Sequence, residues 1–589
     1  MLKIISLFLG LAFLEIITYI VIFHNGILEN NILNFVVYKE YLNEYLVLSL
    51  LFIFLFKRNK IIDIFLYLLF IFVLLVDTIQ FMSYYYTNNF ITIDALDNMS
   101  QILLFLNKFT IFILILFIFI IIGSVYFLQK INIKNRRKFF IIIFVISVLN
   151  FYLYNLNKHK NDIFDEYNVE KGPVLNFIKV IKTYLTPIKI LNIKLSEEEK
   201  EFAIKSHLLV NPDSKYPLEK SYFYKNTLKD NNLSSKPNII VFFIESLSAK
   251  YIDVYKSHEQ NITPNIDKLS KNSIIVKNYV NHSFPTIRGI YGQLCSLYPE
   301  FRVKDIVDNY KIYKFYHKKC LPSYLNEYNY HTVYLNHGNA ARQRIKDLAK
   351  NYGFKEMLFN LDIEKLIQEK PMHTLDSDMS DQQMAKGVIK YLKNYKKKQP
   401  FFMSISTIET HLGSTIASDG VRLKGLDNTY NSYYNMDNAL GKIFEYIKHS
   451  KYNKNTIIII TGDHVSIGKY KKYNNSKIYG DLALIIHDPF IKHRVIYANS
   501  SSINLAPTIL HLINYPNKNN SFIGRSIFED KSNIAIGVTR DYGMFYSFYK
   551  DNKVIDAEQF SKPNNHRSKM VYDILNYIFM LASQDRIYK

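Results

Sequence analysis

Tryptophan is absent from all 589 residues, and cysteine occurs only twice, as Cys295 and Cys320. Neither cysteine has the paired Cys-x-x-Cys spacing of a zinc or thiol-redox site, which argues against thiol-based metal or redox chemistry. Two cysteines allow one disulfide or two buried free thiols, and both states stay open. No internal repeat is evident, which argues against solenoid and propeller architectures. Acidic residues are outnumbered: 51 Asp and Glu against 73 Lys and Arg give a formal net charge of +22. A chain this basic invites nucleic acid as a partner. The lysines are scattered, however, with no basic recognition helix or RNA-binding signature, and anionic lipid is an equally good sink for the charge. We expect no nucleic-acid partner.

What is present is unevenly distributed. Residues 1–155 are dominated by Ile, Leu and Phe, whereas the chain after about 195 mixes polar and apolar residues. The mean hydropathy of −0.04 therefore averages two unlike halves. Five apolar segments, near 4–23, 45–56, 61–81, 109–128 and 139–155, are read as membrane spans, most of them reaching the ~20 residues that a bilayer requires. The first lacks a small-residue cleavage site and is expected to be an anchor, not a signal peptide. Loops at 57–60 and 130–138 are rich in Lys and Arg, while 24–44 and 82–107 carry Glu29, Glu40, Glu44, Asp94 and Asp97. Positive loops stay inside, so the amino terminus is expected in the cytoplasm and residues 156–589 outside it.

After the last segment, Val174 to Leu185 places apolar residues at helical spacing with lysines between them. It reads as an interfacial helix on the outer leaflet or as a plain core helix. Ser196 and Glu199 form a capping box that opens another helix, and 226–236 is a polar linker. The expected organisation is a transmembrane domain (1–157), juxtamembrane helices and linker (158–236), a catalytic domain (237–530) and its carboxyl-terminal extension (531–589).

From 237 onward, buried β runs alternate with helices, the signature of a doubly wound α/β domain. Strands are predicted at 238–244, 331–335, 400–407, 456–461 and 482–487, with helices near 286–297, 319–328, 379–395, 430–449 and 503–513. In an open parallel sheet, ligands lie beyond the carboxyl ends of the strands. Glu245 ends the first of these strands, and Gly462-Asp463-His464 ends the run from Thr456. Thr286 follows Pro285 at a helix start, where backbone N–H groups and the helix dipole favour an anionic oxygen. Taken alone, Thr286 is an N-cap and Glu245 a strand-end carboxylate. Together, two carboxylates, an imidazole and a hydroxyl make a divalent-metal site with an activatable alcohol beside it. His337 and His411 each lie just past a strand and are expected on the rim of the same face, where an imidazole binds phosphate oxygen or protonates a leaving alkoxide. Arg288, and Arg342 or Arg344, are the candidates for bidentate phosphate contacts.

This order of motifs, with strand-Glu-Ser followed by Thr before an Arg-Gly helix start and then Gly-Asp-His after an apolar strand, resembles the lipoteichoic acid synthase and phosphoglycerol transferase group of the alkaline phosphatase/sulfatase superfamily. The resemblance implies an α-helical membrane domain followed by an α/β doubly wound catalytic domain. It implies that Glu245, Thr286, Asp463 and His464 bind the metal and that Thr286 is the nucleophile carrying a phosphoglycerol intermediate. His411 is implied as a catalytic and substrate-binding histidine, with His337, Arg288 and Arg342 binding substrate. The loop after His337, from Gly338 to Arg344, is short for the family and lacks an aromatic residue. Ser283-Phe-Pro-Thr286 also half-resembles the sulfatase signature, which makes Ser283 a rival nucleophile.

The expected activity is extracytoplasmic transfer of a phosphoglycerol-type head group from a membrane phospholipid to an envelope glycan or lipid, at a bacterial cytoplasmic membrane. Mn²⁺ is the expected metal, with Mg²⁺ and Zn²⁺ compatible with the same ligands. The alternatives are a phosphoethanolamine transferase, a phosphodiesterase or sulfatase of the same fold, and a non-enzymatic membrane-anchored binding protein.

Overall fold

The computed structural model describes residues 59–87 and most of 192–588, with a few isolated positions before 192; within the second range, 222–235, 257–260, 301–318, 341–344, 373–377, 412–415, 467–479, 517–518, 530–532, 540–542 and 561 are not described. The chain divides into two units, Met1–Lys189 and Ile190–Lys589.

In the first unit the described helix is α1 (Lys60–Thr87). Asn59 starts it by accepting the Ile61 N–H on its side chain at 2.8 Å. Leu66, Phe70, Val73 and Val76 are buried, while Ile64, Phe65, Leu68 and Leu75 are exposed, so apolar residues surround the helix. It covers the segment expected at 61–81, and part of its side chains lies outside the described residues. The other four expected spans fall wholly or mostly outside them. Among the described residues no helix is long and apolar enough to cross a membrane.

The second unit opens with α2 (Glu197–Lys205), started by the expected capping box of Ser196 and Glu199. Its core is an eight-stranded sheet. In chain order the strands are β1 (Asn238–Ile244), β2 (Ile274–Val280), β3 (His331–Asn336), β4 (Glu356–Leu358), β5 (Phe401–Ser406), β6 (Thr456–Gly462), β7 (Leu484–His487) and β8 (Arg494–Ser501). Their spatial order is β4-β3-β5-β1-β6-β7-β2-β8. All pairings are parallel except those of β7 with β6 and β2. β1 and β6 are buried along their whole length, which is why they read as unbroken apolar runs.

The helices are α3 (Pro264–Ser270), α4 (Thr286–Cys295), α5 (Leu321–Glu327), α6 (Ile345–Asn351), α7 (Asn360–Ile367), α8 (Asp381–Asn394), α9 (Asn428–Lys448), α10 (Leu505–Leu512) and α11 (His566–Ser583). They cover both faces of the sheet, with one apolar cluster holding Tyr291, Leu294, Ile509 and Leu510 and the other Met384, Val388, Met436 and Ile443. A separate antiparallel sheet of β9 (Ile534–Thr539), β10 (Gly543–Lys550) and β11 (Lys553–Phe560) follows. Cys295, at the end of α4, and Cys320, which precedes α5, form a disulfide, resolving the two thiol states left open by the sequence.

Candidate active site

The central strands β1 and β6 lie side by side in register from Asn238↔Thr456 to Ile244↔Gly462, so their ends bring Glu245 and Asp463-His464 to one point. The chain turns sharply here: Ser246 adopts a left-handed φ of 59°, and its N–H donates to Asp463 Oδ1 at 2.8 Å. The next segment along the sheet holds Glu245 from the other side. The Glu245 N–H donates to Thr407 Oγ1 (3.1 Å), and the Thr410 hydroxyl donates to the Glu245 carbonyl (2.6 Å).

Glu245, Asp463 and His464 are all buried, and one ligand atom from each lies within 4.8 Å of the others. His464 Nε2 sits 3.3 Å from Glu245 Oε1 and 3.5 Å from Asp463 Oδ2. Its Nδ1 faces the Val465 carbonyl at 2.9 Å, which leaves Nε2 for a ligand. Burial pushes the Asp463 carboxyl up, and the charge of Glu245 pushes it further. For Glu245, burial acts in the same sense but is outweighed by the hydrogen bond and charge of His464 and by the charge of His411, which hold it well below the usual carboxylate range. For His464, burial disfavours the cation, and the carboxylates of Asp463 and Glu245 overcome it and raise the imidazole.

One imidazole does not saturate two buried carboxylates. Among the described residues, the buried Asp463 Oδ2 has no hydrogen-bond partner, although burying a carboxylate oxygen unpaired is costly. Three oxygen and nitrogen donors around an unsatisfied oxygen fit a divalent cation.

Thr286 is the first residue of α4 and its cap position is taken by Pro285, so its hydroxyl does not serve as an N-cap. The hydroxyl instead donates to Glu245 Oε2 at 3.0 Å and lies 3.5 Å from His464 Nε2. Gly289 explains how α4 comes so close: a Cβ there would stand 2.0 Å from the Asp463 carbonyl oxygen. One turn further on the same face, Gln293 donates through Nε2 to the carbonyls of Gly462 (2.9 Å) and Asp463 (3.2 Å). The spacing of Thr286, Gly289 and Gln293 places all three against the end of β6. Gln293 was not singled out in the sequence, and that spacing is the signal that could have found it.

The remaining candidates do not share one placement. His411 is exposed beside Thr410. Arg288 is fully buried. His337 is buried instead of standing on the rim, because residues 378–381 cover the end of β3. Its Nδ1 faces the Met379 carbonyl at 2.6 Å and its Nε2 lies 3.2 Å from Asp381 Oδ1, so both ring nitrogens address the protein. Burial opposes the charged ring, but Asp381 raises the imidazole above its ordinary value. Arg342 and Arg344 lie outside the described residues. The rival nucleophile Ser283 is buried and donates its hydroxyl to the Val538 carbonyl at 2.7 Å, away from the triad.

The mostly parallel sheet thus carries a buried Glu-Asp-His triad and a helix-start threonine at the carboxyl ends of its central strands. Residues 237–515 match the family model described as Sulfatase. Two solved structures share the fold. One is a protein in the alkaline phosphatase superfamily from Vibrio parahaemolyticus, with 17% identity and a TM-score of 0.54 over 67% of this chain and 98% of that one. The other is a lipoteichoic acid synthase from Listeria monocytogenes, with 13% identity and a TM-score of 0.50 over 66% of this chain and 98% of that one.

Proposed function

We propose that this protein is a metal-dependent transferase that moves the phosphoglycerol-type head group of a membrane phospholipid to an envelope glycan or lipid. The observation that carries this reading is the Thr286 hydroxyl bonded to Glu245 inside the buried triad. Glu245, Asp463 and His464, with the Thr286 hydroxyl, would hold the metal, Mn²⁺ being our first choice and Mg²⁺ or Zn²⁺ the others. When bound, the cation eases loss of the hydroxyl proton and offsets charge on the phosphoryl oxygens.

The protein's own part runs in two steps. Glu245 Oε2 accepts the hydroxyl proton of Thr286 as Oγ1 attacks phosphorus. The bond from phosphorus to the diacylglycerol oxygen breaks, and His411 at the exposed rim gives that oxygen a proton. An acceptor hydroxyl then attacks the same phosphorus and loses its proton to His411, the bond from phosphorus to Thr286 Oγ1 breaks, and Glu245 returns to that oxygen the proton it took. The free N–H groups at the start of α4 favour the anionic group held there.

The lipid donor is supported by the likeness to the lipoteichoic acid synthase fold, by the apolar residues exposed around α1 and by the basic charge of the chain. The disulfide suits a catalytic domain outside the cytoplasm, as the loop charges predict. Phosphatidylglycerol is the first donor and phosphatidylethanolamine the second. Diacylglycerol release is to be measured with and without an acceptor glycan. A transferase passes the head group to the glycan, whereas release of free glycerol phosphate at the same rate in both reactions identifies a hydrolase.

A further inference from the structure

The loop that presents Thr286, residues 281–285, is held from one side by a sheet that lies beyond the matched family region. Among the described residues β9 is an edge strand, paired with β10 on one side, with Ile536 opposite Tyr546 and Val538 opposite Met544. Alternate residues of a strand turn their N–H and C=O groups to opposite edges, so an unpaired edge needs partners. For Ile536 the partner is one hydroxyl: Ser501 Oγ accepts its N–H and donates to its carbonyl, both at 2.6 Å. For Val538 the partners are on the threonine loop. Its N–H donates to the His282 carbonyl at 2.7 Å, and its carbonyl accepts the Ser283 hydroxyl at 2.7 Å.

His282 completes the hold. Ser502 Oγ lies 2.6 Å from His282 Nδ1 and accepts the His282 N–H at 3.2 Å. Nε2 faces the Arg288 carbonyl at 3.2 Å, within the first turn of α4. A carbonyl only accepts, so Nε2 carries the proton and Nδ1 accepts from the Ser502 hydroxyl. Gly292 makes room for the ring: a Cβ there would stand 1.9 Å from Nε2.

We infer that Ser283 is a positioning residue for the transfer reaction, and that with His282 it locks the Thr286 loop onto the free edge of β9, making the carboxyl-terminal sheet part of the device that aims the nucleophile. The inference rests on the reading of Thr286 as nucleophile. It assigns a use to the hydroxyl that the sequence offers as a competitor. Loss of this bond leaves the triad's ligand atoms in place and loosens only the approach of Thr286 Oγ1. Misplacing a reacting atom by about 1 Å costs on the order of a hundredfold in rate.

The test compares full-length wild type, Ser283→Ala, Ser283→Thr and Thr286→Ala on head-group-labelled phosphatidylglycerol vesicles and on a soluble aryl phosphodiester, with metal affinity and melting temperature measured in parallel. For Ser283→Ala we expect kcat to fall about tenfold to a hundredfold on every substrate turned over, with KM and metal affinity within about twofold of wild type. Ser283→Thr, which keeps a hydroxyl, recovers most of the rate, and any label stays on Thr286. Unchanged kcat in Ser283→Ala overturns the proposal. So does a loss of metal affinity in step with kcat, because that marks general destabilisation. Label on Ser283 in the wild type overturns both the proposal and the nucleophile reading. If wild type cleaves the aryl diester and ignores the phospholipid, the donor reading fails by itself, and the kcat of Ser283→Ala on the aryl diester still decides the inference.

Discussion

The Thr286 hydroxyl donates to Glu245 Oε2 at 3.0 Å, although the two residues are separated by 41 positions of chain and sit on different elements. A threonine at a helix start ordinarily spends its hydroxyl on the free N–H groups of its own helix. Here Pro285 takes the cap position and the hydroxyl is turned to a carboxylate. That geometry is the one the proposed nucleophile requires.

The triad should bind a divalent cation through all three side chains. Glu245→Gln, Asp463→Asn and His464→Ala are each expected to weaken Mn²⁺ binding by at least about a hundredfold in titration calorimetry, since each removes one of very few ligands. His411→Ala should leave affinity intact while lowering kcat by roughly 10²–10⁴-fold. If His411→Ala weakens metal binding as much as Asp463→Asn, the division between ligands and acid/base residue is wrong.

Gly289 should be intolerant of the smallest side chain. Its added Cβ would meet the Asp463 carbonyl oxygen at 2.0 Å and the carbonyl carbon at 2.8 Å, backbone atoms that have little freedom to move. Gly289→Ala is expected to lose roughly 1–3 kcal/mol of stability and to weaken metal binding, because relief of the clash displaces Asp463. Unchanged melting temperature and affinity would contradict the close approach of α4 to β6.

How much of this was legible varies with the element. β1 and β6 are buried on both faces, so their apolar runs announced them, and with them Glu245, Asp463 and His464. β2 and β8 gave no comparable signal. β2 is interrupted by Lys277 and Asn278, where Asn278 has a φ of 53° and the ladder with β8 shifts register; β8 exposes Val495 and Tyr497 in its first half. The covering of His337 by Met379 and Asp381, and the capture of Ser283 by Val538, depend on partners 42 to 255 positions away. No local pattern encodes contacts of that kind.

Acid should loosen the threonine loop through His282. Burial lowers this imidazole to about 4, from an ordinary value of 6.5, against the smaller opposing effect of the Arg288 carbonyl. The folded state thus resists a proton that the unfolded state accepts. The contribution to stability is fully present above pH 6.5 and is lost as pH falls from 6.5 toward 4, by an amount on the order of 3 kcal/mol. Denaturation of wild type and His282→Asn at pH 7 and pH 5 measures it: the wild type should lose the larger share of its stability. Identical acid sensitivity in the two proteins would contradict the assignment.

The disulfide closes 25 positions between the end of α4 and the start of α5. Closing a loop of that size restricts the unfolded chain by about 3 kcal/mol. Reductant, or Cys295→Ser with Cys320→Ser, should lower the melting temperature accordingly, and thiol titration of the unreduced, unfolded protein should find no free thiol. Two titratable thiols would contradict the bond.

The account rests most heavily on Thr286 as the atom that carries the head group, and mass spectrometry of the peptide around it tests this directly. Full-length protein is incubated with phosphatidylglycerol vesicles and Mn²⁺ without acceptor, quenched in acid and digested. The account predicts a peptide containing Thr286 heavier by one phosphoglycerol group, diacylglycerol released in equal amount, and no such peptide from Thr286→Ala. An unmodified peptide from a preparation that goes on releasing diacylglycerol would contradict it.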